Sequence, residues 1–359
     1  MLSFNSELND KEQEEKKELL KDKIEQVDLT KTKTVADLVT AFRGMSIQAR
    51  NIGDCAAVFE KMLTDEERPT IMLGLAGPLI AAGLGKVIRD MIEYNMVDVI
   101  VSTGAILYQD FYQARGYGHF KGSPNADDTV LRHYYIDRIY DTYVDEQKFV
   151  DLDNWIGETA AELTGKTISS REFLHFLSSY AKDDNSILGT ARKHGIPIFC
   201  PALNDSSIGI GLTHHYHMMK QAGKTPMTIS SIRDNYELTQ IVNQSRRTSA
   251  FYVAGGVPKN YINDSVVMTY IFDRDTGGHK YALQVTTDVP HWGGLSGSTL
   301  AEAQSWGKVN VEANKAMGFV EPSVSLPLIV GYALEKKCAQ KRSRIKYEWD
   351  GDMLKSLKF

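Results

Sequence analysis

Residues 96–105, MVDVIVSTGA, form a short run rich in β-branched residues that stops at Ser102, Thr103 and Gly104. β-Branched side chains suit pleated structure, and an apolar run of this length closed by turn residues reads as a buried strand. The pattern recurs along the chain. TIMLGLA (70–76) runs into Gly77-Pro78, and IPIFCPA (196–202) into Asn204-Asp205. AFYVAG (250–255) runs into Gly256, and YALQVTT (281–287) into Asp288. MTISS (227–231) and VVMTYIF (266–272) are further strand candidates. Amphipathic stretches of about 10 to 20 residues separate these runs, which predicts an α/β fold with a mostly parallel sheet. Small and polar residues gather past the carboxyl ends of the strands, and in an open parallel sheet those ends line one ligand-binding edge. Tight strand-to-helix turns favour the same residues, so any single turn is open to either reading.

The flanking segments differ. Residues 7–33 are dominated by Lys, Glu and Asp and read as a helical arm, mobile or loosely docked. TVADLVTAFRGMS (34–46) begins the helical periodicity. The aromatic and charged stretch 116–143, within 105–150, reads as a long excursion from the sheet. The chain has 359 residues, 42% hydrophobic and 24% charged, with a formal net charge of −5. No basic field invites nucleic acid, and the longest apolar runs are too short and too broken to span a bilayer. The N-terminal residues lack the basic-then-apolar order of a secretory signal. Cys55, Cys200 and Cys338 are far apart and odd in number, which argues against a disulfide framework or a cysteine-rich metal site. A reducing, cytoplasmic setting is the expectation.

Several motifs fail. Gly165-Lys166-Thr167 resembles the end of a phosphate-binding loop, but the glycine required five residues earlier is Ala160, and NWIGETAAEL reads as a helix. His214, His215 and His217 point in several directions on a helix and read as structural. No metal site is expected. Lys308 in EAQSWGKVN (302–310) is different. Thr299 and Glu302 have the spacing of a capping box, so a helix starts there, and Gly307 suits its end. Glu302 is open to two readings, cap or functional carboxylate. Glu302 and Trp306 share a helix face. Trp292, Gly293, Gly294 and Gly297 permit close approach of a ligand to the backbone. A lysine among aromatic walls loses solvation, which favours a neutral amine able to attack an imine carbon.

EAQSWGKV (302–309) resembles the active-site segment of the deoxyhypusine synthase family. IPIFCPALNDSSIG (196–209), STGA (102–105) and AGGVPKN (254–260) resemble its other segments in the same order, so the likeness spans roughly residues 35–335. DVPHWGGLSG (288–297) is closest in form to the bacterial deoxyhypusine synthase-like branch. The resemblance implies a Rossmann-like, doubly wound sheet with helices on both faces. It implies a single NAD-binding catalytic domain at 34–340, between a charged arm (1–33) that can cover a site entrance and a C-terminal tail (341–359). It also implies a homotetramer with sites at a dimer interface. In the implied reaction a polyamine carbon next to nitrogen loses hydride to NAD, and a lysine captures the resulting imine as a four-carbon aminobutyl unit. An acceptor amine then displaces the lysine, and the hydride returns. Lys308 matches that nucleophile, Trp306 the wall of the polyamine chain, and Glu302 the partner of an ammonium. Thr103, Gly104, Asp205, Gly255, Gly256, Thr287, Asp288 and Glu321 match the cofactor edge.

The substrate pocket departs from the family pattern. Ile210, Trp292 and Leu295 stand where carboxylates are expected, Asn260 where a histidine is, and Tyr108 and Gln109 where further acids are. Asp288, His291 and Asp110 are candidates to compensate. Such a pocket should not hold a spermidine trication in the same pose. The sequence therefore points to transfer onto a small amine, as in homospermidine synthesis. Transfer to a protein lysine and a catalytically silent NAD-binding scaffold are the alternatives.

Overall fold

The computed structural model describes residues 8–359; residues 1–7 of the expected arm lie outside them. The chain begins with α1 (Asp10–Leu19), a helix without buried residues, then α2 (Val35–Phe42) and α3 (Ile47–Thr64). β1 (Thr70–Leu75), α4 (Gly85–Glu93), β2 (Val99–Ser102) and α5 (Gly104–Ala114) follow. The excursion holds β3 (Phe120–Lys121), α6 (Asp128–His133), β4 (Ile136–Ile139) and β5 (Thr142–Asp145), which form a small antiparallel sheet. Next come α7 (Glu146–Thr159), β6 (Thr167–Ile168), α8 (Ser170–Ser178), α9 (Ile187–His194), β7 (Ile198–Phe199) and α10 (Ser207–Gln221). The last third holds β8 (Thr228–Ile229), α11 (Ser231–Gln244), β9 (Thr248–Val253), α12 (Val257–Val267) and β10 (His279–Val285). It ends with α13 (Leu300–Ser305), β11 (Val309–Gly318), α14 (Pro322–Glu335) and the antiparallel hairpin β12 (Lys346–Asp350) and β13 (Met353–Lys358).

Six strands form one sheet in the order β11-β10-β9-β1-β2-β7, every pair parallel. Succession reverses direction between β1 and β9. Side chains alternate faces along a strand, and both faces are buried. Ile71, Leu73 and Leu75 belong to the larger core, and Met72 to a second core with Val99, Val101, Ala250 and Tyr252. Helices α3 and α5 feed the first core through Phe59 and Phe111, and α11 and α12 feed the second through Leu238 and Ile262. The hairpin joins the second core through Leu354.

Asp98, just before β2, is fully buried between Arg68 and Arg342. Burial alone would push its carboxyl up, but the two guanidiniums outweigh that and hold it below the usual carboxylate range. Among the described residues no helix is long and apolar enough to cross a membrane.

Three strand expectations need correction. VVMTYIF is the end of α12 followed by a 3₁₀ turn, Met268–Phe272. Only Val266 and Thr269 of that run are buried, while Val267, Tyr270 and Ile271 are exposed. That three-residue spacing is helical, and an unbroken apolar run hides it. MTISS supplies only Thr228–Ile229, which pairs with β6 outside the main sheet. The edge strand β11 was not expected, because most of VNVEANKAMG faces solvent and only its two ends are buried.

Candidate active site

The carboxyl ends of the strands carry the positions that the sequence placed on a binding edge. Thr103 and Gly104 follow β2, Gly255 and Gly256 follow β9, and Thr287 and Asp288 follow β10. Asp205 is exposed in the turn from β7 to α10. Glu321 follows β11, but its carboxylate accepts the Ser323 N–H and caps α14. Two helices begin at this edge without a side-chain cap, α5 after Thr103 and α12 after Gly256. No N-cap side chain engages their first-turn N–H groups, which in α12 exclude Pro258.

From this edge the segment 288–298 runs back along α12. A Cβ on Gly255 would lie 2.5 Å from the Ser296 Cα, so only glycine permits the loop to pack there. Asp288 accepts from the Ser296 hydroxyl and from the Val289 N–H, which shapes the loop. Lys259, 1% exposed, fastens it further. Its Nζ donates to Gln284 Oε1 at 2.9 Å, to the Ser298 carbonyl at 2.5 Å and to Ser298 Oγ at 3.0 Å. Burial pushes this lysine down to about 8, against the opposing fields of Glu302 and Asp288. Gln284 Nε2 donates to the carbonyls of Ala254 and Ser296, so strand end, helix and loop form one hydrogen-bonded unit.

The loop delivers α13 and Lys308. Thr299 Oγ1 accepts the Glu302 N–H at 2.9 Å, the cap the sequence implied, while the Glu302 side chain stays exposed. Gly307 adopts φ 67°, and the N–H groups of Gly307 and Lys308 close back on Gln304 and Ala303 in a Schellman turn. The Lys308 carbonyl accepts the His279 N–H at 3.0 Å, so its backbone lies beside the start of β10, away from the carboxyl edge of the sheet. Its side chain, 17% exposed, reaches the flank of α12. There Nζ lies 3.0 Å from Asn260 Oδ1, 2.9 Å from Asp264 Oδ1 and 5.4 Å from the Trp306 ring centroid. Asn260 Nδ2 donates to Asp264 Oδ2 at 2.9 Å, closing the set.

Lys308, Asn260, Asp264 and Trp306 thus meet on the flank of α12, while Glu302, Asp288 and Lys308 all lie within electrostatic reach of the buried Lys259. Large apolar side chains of the 288–308 segment are exposed, Trp292 at 78% and Trp306 at 66%, with Leu295 and His291 exposed as well. Besides the expected aromatic neighbour Trp306, the Lys308 amine is ion-paired with Asp264. Asp264 was missed because 266–272 was read as a strand. Read as a helix, α12 puts Asn260 and Asp264 one turn apart on one face. Asp110 does not compensate for the lost carboxylates. It is buried and accepts the Ile187 and Leu188 N–H groups, capping α9, and burial pushes it up to about 6. Tyr108 is also inside, donating to the Phe149 carbonyl. Ile210 is exposed on the first turn of α10. His215 is buried and accepts the Met227 N–H through Nε2, a structural role.

Residues 37–333 match the family model described as deoxyhypusine synthase. The chain belongs to the deoxyhypusine synthase family. Relatives include a "Deoxyhypusine synthase-like protein" of Chlorobaculum tepidum, 44% identical over 89% of this chain and 91% of the relative. A protein of the same name from Coxiella burnetii is 40% identical over 92% of this chain and 94% of its own. "Probable deoxyhypusine synthase 2" of Methanosarcina acetivorans is 41% identical over 89% and 92%. A solved Entamoeba histolytica structure, provisionally described as a deoxyhypusine synthase, superposes with a TM-score of 0.61 at 20% identity, covering 89% of this chain and 98% of that one, which supports the fold.

Proposed function

We propose that this family member is a transferase that moves an aminobutyl unit from a polyamine or diamine, through an imine on Lys308, to a small amine acceptor. The observation that carries the reading is the sheltered Lys308 amine, held by Asn260 and Asp264 on the flank of α12, the helix that starts at the carboxyl edge of the sheet. The strand order, with its reversal between β1 and β9, supports a Rossmann-like, doubly wound sheet whose ligand crevice opens at that point.

The residues at the edge fit NAD. The two uncapped N-termini, at Thr103–Gly104 and at Gly256, suit a pyrophosphate. Asp205 and Glu321 offer carboxylates to ribose hydroxyls, and Gly255, Thr287 and Asp288 line the same edge. When bound, the nicotinamide supplies the acceptor and later the donor of hydride. The chain's own residues do the rest. At 1.5 Å per helical residue, Asn260 and Asp264 lie about 6 and 12 Å along α12 from Gly256. An extended amine lying along that flank is bracketed by the edge above and Lys308 below. Trp306 and Trp292 present aromatic faces to its methylenes and ammonium groups. Glu302 pairs with a terminal ammonium, and Leu295 and His291 bound the loop side. Fewer carboxylates lie along this flank than the family pattern expects, which favours a diamine or a small acceptor over a trication.

The exposed faces of Trp292, Leu295 and Trp306 support an assembly, a homotetramer in this reading, whose neighbouring subunit covers them. Incubating the protein with NAD and candidate amines, with borohydride quenching and mass spectrometry, tests the proposal. We expect an aminobutyl adduct on Lys308 and a homospermidine-type product. Lys308→Ala should fold and bind NAD yet form neither. Normal turnover by that variant, or no adduct with any amine in the wild type, refutes the assignment.

A further inference from the structure

Resting on the transfer reading above, we propose that Asp264 is a catalytic residue that carries the proton between the two nitrogens exchanged at the substrate carbon. Its Oδ1 is 2.9 Å from Lys308 Nζ, the reacting atom. Its other oxygen is held by Asn260 Nδ2, and Asn260 Oδ1 in turn holds Nζ, so amine and carboxylate cannot swing apart independently. The Asp264 side chain is 42% exposed, which gives it access to water and to an incoming amine.

The proton count follows. The carboxylate first accepts the Lys308 ammonium proton and passes it to water. The free lone pair then bonds to the carbon of the substrate iminium, which arises by hydride loss to a nicotinamide dinucleotide. In the resulting gem-diamine the positive charge sits on Nζ. Asp264 takes the Nζ proton and returns it to the departing nitrogen. The carbon–nitrogen bond breaks with its electrons on the leaving amine, while the Nζ lone pair forms the new C=N bond. Charge is conserved, and nothing is oxidised in the exchange itself. Release to an acceptor amine is the same sequence reversed.

A purely structural ion pair and a proton carrier predict opposite signs. If Asp264 only holds the ammonium, Asp264→Asn frees the amine and adduct formation stays equal or becomes faster. If it carries the proton, Asp264→Asn is slower by about 100-fold, the low end of general acid–base catalysis, and Asp264→Glu recovers part of the loss. Two assays are read at the Lys308 peptide by mass spectrometry. One uses NAD with a polyamine and borohydride. The other uses 4-aminobutanal with cyanoborohydride and no NAD, where the carbinolamine needs the same proton delivery. Slow labelling of the Asn variant in both supports the proposal. If the wild type labels only with the aldehyde and the Asn variant is slow there, the proton carrier stands and the transfer reading fails. An Asn variant that labels at the wild-type rate or faster overturns the proposal, as does absence of Lys308 labelling in both assays.

Discussion

Replacing Lys259 with methionine tests the buried amine that fastens the 288–298 loop. Burial depresses this lysine from 10.5 to about 8 in the folded chain. A difference of roughly 2.5 units corresponds to about 3 kcal/mol, at about 1.4 kcal/mol per unit. Below pH 8 both folded and unfolded chains carry the proton, and the folded state bears the whole cost of the buried charge. Between pH 8 and 10.5 the unfolded chain still binds a proton that the folded chain has released. Stability rises with pH wherever the unfolded state holds more protons, so the wild type gains about 3 kcal/mol across this window. The methionine variant lacks this gain. It also orphans Gln284 Oε1 and the Ser298 acceptors, at about 1–3 kcal/mol each, but that cost does not vary with pH. Other titrations in the window are common to both proteins and cancel in the difference. Urea unfolding of both at pH 7.5, 8.5, 9.5 and 10.5 gives that difference directly. It should move by about 3 kcal/mol in favour of the wild type as pH rises. A difference constant within about 1 kcal/mol, or moving the other way, refutes the view that this lysine is desolvated.

Two further outcomes follow from the packing. Asp98→Asn leaves Arg68 and Arg342 buried without their counter-charge and should destabilise the protein by about 3–5 kcal/mol, measured by chemical unfolding at pH 7. Gly255→Ala drives a methyl into the Ser296 backbone, so it should cost about 1–3 kcal/mol and weaken NAD binding, measured by cofactor fluorescence titration.

Much of the architecture was legible because the inner strands β1, β2, β9 and β10 are buried on both faces and read as apolar runs closed by turn residues. The cap at Thr299 and the turn at Gly307 were legible because each depends on neighbours within one helical turn. β11 was not, since only Val309 and Gly318 are buried and polar residues interrupt any apolar run between them. Nor was the end of α12, where one buried residue in three lies within an unbroken apolar run. That misreading hid Asp264. Nothing in the residues beside Lys308 could say that a carboxylate 44 positions earlier would meet its amine, because tertiary packing alone makes that contact.

Asp98 and Arg342 are separated by 244 positions, yet they meet in the interior. At a synthesis rate of about 5–20 residues per second, the carboxylate waits roughly 12–50 s for its second guanidinium. Until then Arg68 alone balances the carboxylate, and Arg68 itself lacks the Ser343 carbonyl to which it donates. The charge balance around Asp98 is therefore completed by a residue that follows α14, which ties the segment leading to the β12–β13 hairpin to the start of the central strands.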